Sequence, residues 1–359
     1  MTKIIGVSAQ NIIEGGPLTI LKFFLDDFKK QIKDHHIVYV YLNNKKLVDT
    51  KKFNKKQFKF IYLPKSSGNY FYKLYYQFFY FSKVSLKIKF DTWISLQDLV
   101  PNVNANKKIC YFHTPIIFHN MSFKEIFFEP STYLRKIFFK FYFQRKNISE
   151  NLIITQQKWI KKSLKKNFNL KNIIVSSPKI SKLSFKSYSS IKNVFIYPSL
   201  PRFQKNYEVI CKACEVLDKK KLKYEILFTF NKNDCRYSKY ISKISSKIPN
   251  IKFIGRQNHE QMKKLYKSAS YLIFSSKLET WGLPISEAIS YNIPLIVSNL
   301  AYAKETVGDY KKVIYFNPDN YIQLSNILSK IISRKISLNH DNHNKIFKNY
   351  LDISWNKII

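Results

Sequence analysis

Two carboxylates, Glu279 and Glu287, stand eight positions apart in SSKLETWGLPISEAISYNIPLIVSN, residues 275–299. Gly282 lies between them, and Pro284 follows where the first helical position should fall. Proline suits that position, because its φ is already helical and its missing N–H would have had no partner. The pattern suits recognition of a polyhydroxylated phosphate compound. Amide N–H groups at a helix N-terminus attract an anion. A glycine lets the backbone approach that anion, and each glutamate can accept hydrogen bonds from neutral hydroxyls. A nucleotide sugar offers all three parts: a sugar, a diphosphate and a ribose. The plainer alternative leaves both glutamates as solvated surface charges.

The elements that must position these residues are legible in the same stretch. SASYLIFSS reads as a short buried strand, ISEAISY as a helix, and LIV after Pro294 as the next strand. A strand, turn, helix and strand in this order place the glycine turn at the carboxyl edge of a parallel sheet, where such sheets bind ligands.

ETWGLPISEA, followed by a Pro-hydrophobic strand and SNLAYAKETVGD, resembles the E-x7-E region of the retaining family-4 glycosyltransferases (glycosyl transferases group 1). The resemblance implies an α/β chain of GT-B architecture. Two Rossmann-like doubly wound domains would face each other across a cleft, and a C-terminal helix would cross back to the first domain. It implies that Glu279 contacts the donor sugar, that Glu287 contacts the ribose hydroxyls, and that amides around Gly282 and Leu283 hold the diphosphate. Trp281 stands where the family more often has phenylalanine, and Ser275-Ser276 where Pro-Ser is usual. TQQKWIKKSL is similar to the helix closing the first domain, and LDISWNKII to the crossover helix, with Trp355 as its anchor. The expected division is an acceptor-side domain over 1–185, a nucleotide-sugar-binding domain over 186–340 and a crossover helix over 341–359. A polar, Ser/Lys-rich linker is expected near 176–192.

Further candidates sit at the ends of other strands. YPSLPRFQKN opens the second domain. Fixed cations there would stabilise the negative charge that builds on a leaving diphosphate. The resemblance implies Arg202 and Lys205 in that role, three positions apart where the family usually has five. Gly15 and Gly16 follow the first strand; they form either an ordinary tight turn or, as the resemblance implies, a loop facing the donor. His113, in CYFHTP, follows another strand and could hydrogen-bond the donor sugar, although a lone histidine is more often structural. Asp98, in SLQDLVP, is either an acceptor-hydroxyl contact or a cap. The absence of G-x-G-x-x-G argues against a dinucleotide enzyme.

Composition sets the outer bounds. A chain of 359 residues that is 45% hydrophobic can build two cores. No run of about 18 uncharged apolar residues appears, so no spanning helix is expected. MTKIIGVSAQ reads as a strand rather than a signal peptide. Cys211 and Cys214 form C-x-x-C without a second ligand pair, and with Cys110 and Cys235 they point to packed thiols in a reducing cytoplasm. Glycine is scarce, with 7 in all, so it should persist where the backbone needs it. The net charge of +39 is shared between an A+T-rich codon bias and attraction to an anionic surface. Each basic residue near an anionic membrane contributes about 1 kcal/mol. No nucleic-acid motif accompanies the charge. Residues 70–90 and 123–147 interleave aromatic with basic residues, which suits core helices, a membrane interface, or one face of each.

The reading from sequence is a bacterial, retaining hexosyltransferase on the cytoplasmic, inner face of the plasma membrane. It would be peripheral there and bound to the anionic surface. It would use a nucleotide-sugar donor, with no metal and no cofactor, and a lipid-linked or surface-polysaccharide (O-antigen, capsule or lipopolysaccharide type) acceptor. Nucleic acid is not expected as a partner. The rival readings are a non-catalytic membrane- or polyanion-binding protein that keeps the GT-B fold, and an inverting transferase.

Overall fold

The computed structural model describes residues 1–66, 68–145, 148–177, 193–336, 338 and 355–359. The expected linker near 176–192 and most of 341–359 lie outside the described residues. The chain divides into two compact units. One comprises Met1–Thr114, Phe139–Lys179 and Asn349–Ile359; the other comprises Pro115–Phe138 and Ile180–Lys348.

The first unit is built on seven parallel strands: β1 (Ile4–Ser8), β2 (Ile37–Leu42), β3 (Phe58–Tyr62), β4 (Phe90–Ser95), β5 (Ala105–Tyr111), β6 (Leu152–Thr155) and β7 (Ile173–Val175). Their order across the sheet is β3-β2-β1-β4-β5-β6-β7. The second unit has six: β8 (Val194–Tyr197), β9 (Glu225–Phe228), β10 (Ile251–Phe253), β11 (Tyr271–Phe274), β12 (Leu295–Ser298) and β13 (Val313–Phe316). Their order is β10-β9-β8-β11-β12-β13, again all parallel. Parallel neighbours cannot be joined by a tight turn, so the chain returns through helices that cover the sheet faces. The strands read accordingly: YLIF in β11 and LIVS in β12 are buried at every position, as expected where both faces are covered. In each sheet the order reverses beside the first strand, between β1 and β4 and between β8 and β11. Ligands of open parallel sheets bind at the carboxyl ends of such reversals. Two Rossmann-like lobes and a C-terminal helix match the GT-B architecture expected from the sequence.

Local chemistry explains the helices. His259–Ser268 opens on a capping box between Asn258 and Gln261, which satisfies two amides that the helix start leaves open. Tyr207–Asp218 buries Cys211 and Cys214 on its inner face, so the C-x-x-C pair is packing, as its spacing on a helix suggested. Trp355 opens a short helix, Trp355–Ile358. Its indole sits edge-on to Phe24 and Phe28, with centroids 4.9 and 5.8 Å away, and its amide donates to the Gln31 side chain at 2.7 Å.

Gly6 lies inside β1. A Cβ there would meet the Trp93 ring at 2.3 Å, so close approach of a buried indole requires the glycine. Pro115–Phe138 groups with the second unit. The reason is local: the Glu129 carboxylate accepts the Phe203 amide at 2.8 Å, and Phe128 packs on Phe203 and Tyr240.

The aromatic stretch at 70–90 forms a helix over Tyr70–Tyr75, a π-helical turn over Tyr76–Tyr80 and a helix over Phe81–Lys87. Tyr76, Gln77 and Phe81 face inward, while Phe71, Phe79 and Leu86 are 75%, 62% and 77% exposed. Among the described residues, no helix is long and apolar enough to cross a membrane.

Candidate active site

The loops after β8 and β11 meet at the switch point of the second sheet. Asn206 adopts a left-handed backbone, φ 54°, and its carboxamide donates to the carbonyls of Ser275 and Pro318 at 3.4 and 2.7 Å. The Ser275 hydroxyl reaches the carbonyls of Lys205 and Asn206, both at 3.0 Å. Tyr197 donates to the Lys205 carbonyl at 2.7 Å, and the Lys277 amide to Gln204 at 2.7 Å. These bonds fix the backbone on either side of Lys205 and Glu279. Their side chains then form a direct ion pair, Nζ to Oε1, with each side chain 15% exposed. The ammonium also lies 5.4 Å from the centroid of the Phe274 ring, a favourable cation–π arrangement.

Gly282 takes φ 86° and opens the helix Leu283–Ser290, with Pro284 in its first turn and no side chain capping it. Its neighbour Trp281 is buried. The indole N–H donates to Ser286 Oγ at 2.9 Å, and the Trp281 carbonyl accepts from the Thr306 hydroxyl. The turn is therefore held from both sides, and the helix start is left to whatever binds before it. Glu287, one turn into that helix, accepts the Tyr266 hydroxyl at 2.6 Å, and the Tyr266 ring stacks on Tyr291 with centroids 5.2 Å apart. Burial holds the Glu287 carboxyl above the usual carboxylate range; the Tyr266 hydrogen bond and the charge of His259 oppose that rise. Arg202 is exposed at the start of the turn that leads to Lys205, and its carbonyl accepts the Lys205 amide at 2.9 Å.

Six sequence candidates thus gather at the carboxyl edge of one sheet: Arg202, Lys205, Glu279, Gly282, Leu283 and Glu287. Gly15, Gly16 and His113 belong to the first unit. Gly15 is exposed with φ 72°, and the helix Gly15–Gln31 starts there, behind Glu14, which forms no side-chain cap. His113 follows β5 and is 9% exposed. Its Nε2–H donates to the Leu96 carbonyl at 3.0 Å, and burial lowers its pKa, with the charge of Asp98 and the Leu96 bond acting against that. Asp98 is a cap. Its carboxylate accepts the amides of His113 and Thr114 and, at 2.6 Å, the Thr114 hydroxyl. Sequence reasoning missed Tyr266 and Asn206, which hold Glu287 and Lys205 in place.

Among the described residues, no group of three or more His, Cys, Asp or Glu is placed to hold a metal ion. Burial pushes the Cys214 thiol up to about 12, in keeping with a packed side chain.

Comparison with known proteins places this geometry in a family. Residues 179–349 match the model for glycosyl transferases group 1. Over 279 residues, 73% of this chain and 78% of the relative, the sequence is 22% identical to the O-antigen chain mannosyltransferase RfbU of Salmonella typhimurium strain LT2. A shorter stretch of 59 residues, 16% of each chain, is 37% identical to O-antigen chain mannosyltransferase B of Escherichia coli. The crystal structure of WaaG, a glycosyltransferase involved in lipopolysaccharide biosynthesis, superposes with a TM-score of 0.67, covering 92% of this chain and 91% of that one at 12% identity. Residues 179–349 thus carry the sequence pattern of glycosyl transferases group 1, and the chain has the GT-B fold.

Proposed function

We propose that the chain moves a hexosyl group, with retention of the anomeric configuration, from a nucleotide sugar to a hydroxyl of a lipid-linked or surface-polysaccharide glycan. The observation that carries this reading is the Lys205–Glu279 pair beside the Gly282 helix start, with Glu287 one turn further on. A diphosphate on the amides before that helix would have the Lys205 ammonium within reach, and Arg202 beside it. As the glycosidic bond breaks, charge builds on the diphosphate and those cations stabilise it. Glu279 would accept a donor-sugar hydroxyl, and Glu287 the ribose hydroxyls. Mannose is the first sugar to test, because both curated relatives are named mannosyltransferases.

The acceptor side of the proposal includes docking on an anionic membrane, at the cytoplasmic face. Phe71 and Phe79 stand exposed among lysines in the first unit, the combination that anchors peripheral helices at an interface. Phe123 and Phe127, in the second unit, are 94% and 68% exposed. The segment 123–147 is divided between the units, so it acts as two patches, and Lys146 lies outside the described residues.

The experiment is a thermal-shift screen of nucleotide hexoses, followed by NMR assignment of the anomer formed on a lipid-linked glycan. A ligand at 100 times its Kd adds about 2.7 kcal/mol of stability. An inverted anomer removes the retaining mechanism, and no stabilisation by any nucleotide sugar removes the donor role.

A further inference from the structure

Lys205 ends a short turn that is held from two directions. Phe203–Lys205 is a single 3₁₀ turn behind Arg202, whose side chain does not cap it. Its carbonyl side is fixed from the sheet edge. The Gln204 carbonyl accepts the Lys277 amide at 2.7 Å and the Ser276 hydroxyl at 3.2 Å, and the Lys205 carbonyl accepts from Tyr197. Its amide side is fixed from far away in sequence. The Glu129 carboxylate, 74 positions earlier, accepts the Phe203 amide at 2.8 Å. A charged acceptor puts this among the stronger hydrogen bonds, and it satisfies an amide that the start of such a turn leaves open.

Glu129 is itself anchored. It sits between the helices Phe123–Phe128 and Pro130–Phe143. Its other carboxylate oxygen accepts the Thr132 hydroxyl at 3.0 Å, and its carbonyl accepts the Thr132 amide at 3.0 Å. A second, independent contact acts on the same residue of the turn. The Phe128 ring stacks on Phe203 with centroids 5.8 Å apart, and it packs on Tyr237 and Tyr240 at 5.8 and 5.1 Å. Lys124 donates to the Tyr240 hydroxyl at 2.8 Å. The Tyr237 hydroxyl donates to the Glu208 carboxylate, in the first turn of the helix Tyr207–Asp218. Phe203 is therefore held by both its ring and its amide, two residues before the ammonium that meets Glu279.

We infer that Glu129 is a positioning residue for the transfer: by holding the Phe203 amide, it sets where the turn presents the Lys205 ammonium. This rests on the reading in which Lys205 faces the departing diphosphate. Charge on that group is greatest as the glycosidic bond breaks, so a displaced cation costs turnover more than it costs donor binding. Glu129 acts through the turn and not on the donor.

Two substitutions separate reach from charge. Glu129→Gln keeps the length and the acceptor oxygen but loses the charge. Glu129→Asp keeps the charge and can still cap the helix that follows. It is one methylene short, so the 2.8 Å bond to Phe203 opens beyond hydrogen-bond range. Glu129→Asp should lower kcat about 10- to 100-fold, the cost of a small misplacement, with KM for the donor nearly unchanged. It should also speed hydrogen exchange of the Phe203 amide. Glu129→Gln should turn over like wild type. Each variant is then combined with Lys205→Met. Groups that work in one network are not additive, so Lys205→Met should lower melting less in the Glu129→Asp protein than in wild type. The double variant should turn over no more slowly than Lys205→Met alone. Glu129 loses the positioning role if Glu129→Asp matches wild type in kcat, or if the melting losses simply add. A kcat that falls in Glu129→Gln but not in Glu129→Asp also removes it, because charge and not reach would then matter. If wild type turns over no nucleotide sugar, the melting cycle and the exchange of the Phe203 amide still decide. Non-additive melting with faster exchange keeps the placing of Lys205 by Glu129, and the transferase reading is what fails; additive melting removes the placing as well.

Discussion

Substituting Lys205→Met separates the structural from the chemical work of the ion pair. The methionine keeps the length and apolar stem of the lysine but leaves the Glu279 carboxylate, 15% exposed, with no cation beside it. Breaking a buried pair in this way costs about 3–5 kcal/mol, and the residual exposure puts this case at the lower end, about 3 kcal/mol. For a unit of this size each kcal/mol lowers Tm by about 2–4 °C, so the melting of the second unit should fall by about 6–12 °C. Adding Glu279→Leu removes the stranded charge. An apolar pair of similar volume is often neutral or stabilising in place of buried ions, so the double variant should recover most of the lost Tm. Turnover should not recover. If Lys205 stabilises charge on the departing diphosphate, its loss costs about 100- to 1,000-fold in kcat, with or without Glu279. The assays are thermal melts followed by circular dichroism, and kcat and KM for donor at saturating acceptor. Two results would refute the reasoning: a single variant that melts with wild type, or a double variant that regains turnover.

The remaining predictions are simpler. Glu287 is raised by burial, so its contribution to stability is full below the usual carboxylate range and is lost as pH rises through the raised value. Nucleotide affinity runs the other way, because ribose hydroxyls need the ionised acceptor, and calorimetry should show binding tighten over that same window. Tyr266→Phe removes the hydroxyl that favours ionisation and should shift both curves to higher pH; superimposable curves would contradict this. Gly6→Ala must move the Trp93 ring out of a 2.3 Å contact and should cost about 1–3 kcal/mol, read as a lower Tm. Phe71→Ser with Phe79→Ser should weaken co-sedimentation with anionic vesicles, each ring contributing about 1.5–3 kcal/mol when buried, and wild-type binding should fall with salt. A wild-type protein that stays in the supernatant at low salt removes the membrane docking.

What could be read from the chain was the local part of the design. The strand, glycine turn, Pro-started helix and following strand at 271–298 follow from apolar runs and turn chemistry that act over a few residues. The φ of 86° at Gly282 is the conformation that a glycine at that turn implied. The pairing of Lys205 with Glu279 spans 74 positions and depends on which strands become neighbours, so residue type and position could nominate both without joining them. Asp98 kept two readings for the same reason: its role is decided by the amides of His113 and Thr114, which the sheet brings to it.

The place of Trp281 has a practical consequence. The chain has four tryptophans, and Trp93, Trp159 and Trp355 belong to the first unit, while Trp281 belongs to the second. The indole N–H of Trp281 donates to Ser286 one turn into the helix behind Gly282. A variant that retains Trp281 alone would make the fluorescence of the second unit legible by itself, so its unfolding and its response to a nucleotide could be followed without a label. The complementary variant, with Trp281→Phe, would report the first unit. One pair of proteins would then give two optical channels, each blind to the other half of the molecule.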